Sequence, residues 1–84
     1  MIGQIEGRLI EKGPTQVMVD VNGVGYLLQI PLPVYETLGE CGSNVRLYTV
    51  LFVREEKLEL YGFASQQERQ LFQLLVTIPG IGPR

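Results

Sequence analysis

Two short segments of this chain carry residues that could do chemistry. The chain ends Gly80-Ile81-Gly82-Pro83-Arg84, and residues 55 and 56 are adjacent glutamates. Glycines tolerate positive φ and let a phosphate approach the backbone closely. Proline is preset for the first turn of a helix. A helix starting at Pro83 would offer free N–H groups and the positive end of its dipole to a phosphate. Arg84 would add a charge-assisted contact. Such a grip holds nucleic acid without reading its sequence, because phosphates are alike at every step. The same residues also suit a plain inter-helix turn with a glycine cap.

Glu55 and Glu56 sit between Arg54 and Lys57, in a charged turn between two apolar runs. Paired carboxylates can serve as general acid and base, but no nucleophile or metal partner accompanies them in the sequence. A solvated turn is the simpler reading, since most charges lie at exposed positions. Tyr26, Tyr48, Phe52, Tyr61 and Phe63 could stack on bases, although core packing or subunit contact accounts better for most of them, since few basic residues lie near them in the sequence.

Composition narrows the choice. With 45% hydrophobic and 19% charged residues, the 84-residue chain reads as one small globular domain and little more. Its net charge is −2, whereas a domain that holds DNA by charge alone is usually basic. Cys41 is the sole cysteine, and there is no histidine. No internal disulfide can form, a zinc site is not expected, and no cofactor is implied. No signal peptide and no bilayer-spanning stretch is evident.

The elements that must position these residues are mostly strands. Ile2 to Lys12 reads as the first, with Gly3 and Gly7 permitting bends or close backbone approach. Val17, Val19 and Val21 alternate with more polar residues, Asn22-Gly23 is a hairpin turn, and Tyr26, Leu28 and Ile30 alternate on the return. Pro31 and Pro33 end that strand. Val34 to Leu38 reads as one short helical turn. Val45 to Val53 is a long strand, apolar on both faces in its second half, as expected for burial between the barrel and a neighbouring subunit. Leu58 to Phe63 closes the set. Five strands with a short helix between the third and fourth predict a mainly β, OB-type Greek-key barrel over residues 1–64. An SH3-like barrel has the same strand count.

The pattern changes after Ala64. Ser65-Gln66-Gln67-Glu68 matches a capping box. Leu71, Phe72, Leu74, Leu75 and Ile78 then recur at helical spacing as one apolar stripe. Residues 65–84 read as the start of a helical unit cut inside a helix-turn-helix connection.

Several of these segments together resemble the RuvA family. They are the opening Met1-Ile2-Gly3, Val21-Asn22-Gly23-Val24-Gly25-Tyr26, Val53-Arg54-Glu55-Glu56, Leu60-Tyr61-Gly62-Phe63, Gln67-Glu68-Arg69 with Leu71-Phe72, and Gly80 to Arg84. The resemblance runs through the whole chain in order. It implies a non-enzymatic bacterial, cytoplasmic subunit that binds four-way Holliday junctions during recombination and repair. It further implies a homotetramer, a barrel followed by a domain with two helix-hairpin-helix motifs, and a C-terminal domain that binds the motor ATPase RuvB. RuvC would join in the resolving complex. By the same resemblance, Glu55 and Glu56 match an acidic pin at the junction centre, and Gly80, Ile81, Gly82, Pro83 and Arg84 match a DNA-binding hairpin. The family's pin often reads Glu-Asp, so the Glu-Glu pair here adds one methylene of reach.

Overall fold

Alternating Val, Ile, Leu and Tyr residues separated by Gly and Asn-Gly turns favour short twisted strands, and the computed structural model, which describes residues 2–76, contains five of them. Their order is β1 (Gln4–Lys12), β2 (Gln16–Val21), β3 (Val24–Gln29), α1 (Leu32–Thr37), β4 (Asn44–Arg54), β5 (Lys57–Phe63) and α2 (Gln66–Leu75). The strands close into a barrel in the order β1-β2-β3-β5-β4, with β4 returning to β1. The β3–β5 pair is parallel and meets at Gln29 and Tyr61, whereas the other pairs are antiparallel. This connectivity is OB-type and removes the edges that short strands would otherwise expose.

Local chemistry sets the corners. Asn22 and Gly23 take φ of 53° and 91°, as a two-residue hairpin turn requires. The Gly23 N–H donates to Asp20 Oδ1 at 3.1 Å. Gly7 sits tight against β2, where an added Cβ would collide with the Asp20 carbonyl. The pairing of β1 with β2 slips between Leu9 and Glu11. Ile10 is the extra residue, left 40% exposed while Leu9 is fully buried.

Ile5, Leu9, Val17, Val19, Leu28, Ile30 and Leu47 fill the interior, and α1 adds Val34 to the same cluster. Pro31 and Pro33 do more than end β3. Pro31 is the N-cap of α1, and Pro33 lies in its first turn, where a missing N–H costs no helical hydrogen bond. Thr49 is buried, yet its Oγ1 donates to the Ile2 carbonyl at 2.6 Å and its N–H to the Gly3 carbonyl at 2.9 Å. These bonds tie the N-terminal segment to β4.

Helix α2 starts as its sequence predicts. The Ser65 hydroxyl accepts from the Glu68 N–H at 3.1 Å. Its single apolar stripe does not survive packing. The face resting on the barrel is built from Arg69 and Phe72, three residues apart. The Phe72 ring lies 5.3 Å from Tyr61 and 5.0 Å from Phe63. Arg69 donates to the Gly3 carbonyl at 2.6 Å and lies over the Tyr48 ring at 5.6 Å. Leu71, Leu74 and Leu75 roll outward and stay 59%, 65% and 42% exposed. Ile78 lies outside the described residues. Among the described residues, no helix is long and apolar enough to cross a membrane.

Candidate nucleic-acid interface

The β4–β5 hairpin carries the acidic pair. Its ladder runs from Tyr48↔Phe63 to Arg54↔Lys57, leaving only Glu55 and Glu56 unpaired at the tip. The sequence suggests a four-residue charged turn. The structure shortens it to two residues, because Arg54 and Lys57 remain in the ladder. Both glutamates are exposed, and both have positive φ, 48° and 66°. A two-residue turn of this type favours Asn-Gly, because it matches the strand twist with left-handed residues. A non-glycine residue held there costs about 1–2 kcal/mol. The tip therefore keeps two carboxylates at positions where local preference asks for something else. Outliers of this kind concentrate at functional sites.

A direct consequence is testable. Glu55→Asn with Glu56→Gly should raise the unfolding free energy by about 1 kcal/mol through relief of the turn. Urea denaturation measures it. A stability unchanged or lowered would show that the glutamates sit in this turn without strain.

Behind the tip, Arg54 is held along the strand. Its guanidinium lies 4.0 Å from Glu59 and 5.8 Å from the Phe52 ring centroid. Glu59 also accepts from the Tyr61 hydroxyl at 3.4 Å. Burial, reinforced by the Glu59 carboxylate and opposed by Arg54, holds the Tyr61 phenol above its ordinary range. The aromatic residues proposed as stacking platforms are largely spoken for. Tyr61 and Phe63 are 7% and 5% exposed beneath Phe72, Tyr26 packs on the core, Tyr48 lies under Arg69, and Phe52 under Arg54. The outer face of β4 is only half-covered at Val50 and Phe52. The single chain thus leaves open the second face for which the sequence predicts a covering.

Gly80, Ile81, Gly82, Pro83 and Arg84 lie outside the described residues. Two features near the hairpin escape sequence reasoning. One is Arg69, whose link to Gly3 and Tyr48 fixes α2 on the barrel. The other is the cross-strand pair Val53↔Leu58, 66% and 70% exposed just below the tip. Counting outward from a two-residue turn would have paired Val53 with Leu58, had the turn length been known.

Comparison with known proteins agrees with this architecture. Residues 1–62 match the family model described as RuvA N terminal domain. A protein of Chloroherpeton thalassium is 45% identical over all 84 residues, one of Shewanella halifaxensis 51%, and one of Chromobacterium violaceum 50%. Each is named Holliday junction branch migration complex subunit RuvA. The chain spans only 42%, 41% and 43% of their respective lengths. With a closed OB-type barrel and a family match over most of its residues, this chain belongs to the RuvA N-terminal domain family.

Proposed function

We propose that this chain is the N-terminal part of a non-catalytic DNA-binding subunit that recognises four-way junctions. Four copies would present their acidic hairpins around the crossover, hold the junction open and square, and deliver its arms to the motor RuvB, with RuvC joining in the resolving complex. Residues 1–64 form the barrel unit, and residues 65–84 begin the helix-hairpin-helix unit. Gly80 to Arg84 would hold an arm's phosphates through backbone amides and the Arg84 charge.

The observation that carries this reading is the pair of exposed carboxylates on a strained two-residue turn at the end of a long hairpin. Phosphates within a Debye length of it, ~8 Å at physiological salt, are repelled. Duplex is thereby kept from lying across the centre, and separated strands are guided into opposite arms. Glu55→Gln with Glu56→Gln in the full-length protein should raise affinity for linear duplex about threefold to tenfold and narrow the preference for the four-way junction. Gel-shift titration measures both. Unchanged duplex binding with unchanged junction preference would remove the charge role of the tip.

A second reading concerns the 84 residues alone. Their net charge of −2 and the exposed Leu71, Leu74 and Leu75 favour an oligomerisation barrel whose grip on DNA comes from other parts of the protein. A generic single-strand-binding module is disfavoured, because Tyr61 and Phe63 are buried beneath Phe72. Native mass measured beside gel shifts with junction, duplex and single strand separates the three.

A further inference from the structure

The hairpin alternates its faces by strand geometry. On β4, Leu47 and Thr49 point into the barrel and are buried. Leu51 and Val53 continue the same face. On β5, the partners of Thr49, Leu51 and Val53 are Gly62, Leu60 and Leu58. Leu60 still packs against the core cluster. One step further out, the Val53↔Leu58 pair has left the barrel, and its members are 66% and 70% exposed. The opposite face of the hairpin is different. It carries Arg54 and Lys57 as one pair and Phe52 and Glu59 as the next, with Arg54 beside both Phe52 and Glu59. The core face of the barrel thus emerges into solvent as a bare apolar step, one ladder pair behind Arg54↔Lys57 and the two glutamates.

We propose that Val53 and Leu58 form a seat for a nucleobase unstacked at the crossover. This rests on the junction reading above and deepens it. Single exposed apolar residues are ordinary. Here two stand directly opposite each other, with Cβ atoms about 5 Å apart as cross-strand partners, and make a platform about as wide as a base ring. Charge selects the occupant. Glu55 and Glu56, at the tip beyond the pair, repel phosphates, so the part of a strand that can settle beside them is its uncharged base. Aliphatic side chains act in this way where they wedge between base steps and hold them unstacked. The carboxylates would keep the backbone away from the centre, and the apolar step would receive the base that loses its partner there.

The test uses the full-length protein carrying Val53→Thr and Leu58→Thr, which place β-branched residues, well suited to strands, at both positions. Probes are a synthetic four-way junction with 2-aminopurine at the crossover, the same junction unlabelled, and a linear duplex. The expected result is a 2-aminopurine emission that shifts back toward that of the free junction. Junction affinity should fall about fivefold to tenfold, as expected when apolar contact with one base is lost. Duplex affinity, native mass and the thermal midpoint should stay as in the parent protein. Unchanged emission and affinity in the folded variant would overturn the seat. Loss of the native assembly on the same substitutions would also overturn it, because the pair would then be an interface between copies. If the parent protein itself shows no preference for the junction over duplex, the junction reading fails, which is a result distinct from either of these.

Discussion

On the proposed junction reading, Glu55→Lys with Glu56→Lys in the full-length protein is expected to raise affinity for linear duplex and to erode the preference for a four-way junction. Each subunit then changes from two negative to two positive charges at the hairpin tip, where both side chains are exposed. Exposed charges act through solvent, so the effect comes from the sum over the copies in the proposed assembly and not from one strong contact. Each new lysine–phosphate contact releases counterions and steepens the salt dependence of binding by about 0.9 in log–log slope. Duplex affinity should rise by about tenfold or more at low salt, and the gain should shrink on approaching ~0.2 M salt. Junction binding should rise less, because an open crossover brings fewer phosphates over the tip than a duplex lying across it. Titrations with both DNAs at several salt concentrations measure this. Parallel salt slopes for the parent and the lysine variant would mean that no phosphate comes near the tip.

Leu9→Ala is expected to have the largest effect on stability. Leu9 is fully buried and belongs to the cluster with Ile5, Val17, Val19, Leu28 and Leu47. It precedes the bulge at Ile10, where the ladder slips. Its backbone is also fixed from outside the ladder, donating to the Ser43 carbonyl at 2.9 Å and accepting from the Gly42 N–H at 2.6 Å. A strand pinned on both sides cannot move in to fill a cavity, so the loss should be about 3 kcal/mol. That is a large share of the roughly 5–10 kcal/mol available to a small domain. A urea titration should show a lower midpoint at unchanged slope. A loss under about 1 kcal/mol would mean that the barrel closes around the missing atoms.

The barrel was legible because its signals are local and repeat. Alternating residues in β2 and β3, Asn22-Gly23 between them and Pro31 before α1 each act over a few residues, and each keeps its predicted role. Strand ends were less legible. Arg54 and Lys57 read as turn residues by charge, but the β4–β5 ladder continues through them. Hydrogen bonds between strands are long-range, and charge says little about where pairing stops. The same limit hid the bare step at Val53 and Leu58, which exists only because the two strands pair in one register.

The α2 helix shows the other side of this division. Its start at Ser65 was set by a capping hydroxyl three residues from its partner N–H, a contact that any reader of the sequence can place. Its buried face was not set locally. Leucines at 71, 74 and 75 outnumber Phe72, yet the helix turns Phe72 inward because Tyr61 and Phe63 offer it an aromatic surface, and because Arg69 reaches the Gly3 carbonyl. The amino-acid sequence by itself determined which segments are strands and helices, where the chain turns, and that two carboxylates share one turn. Only the tertiary structure decided the closure of β1 on β4, the parallel β3–β5 contact, the face α2 buries, and the strained backbone on which the carboxylates stand. Propensity, capping and turn chemistry act within a few residues, whereas closure, register and facing are settled by surfaces that meet only after the chain has folded.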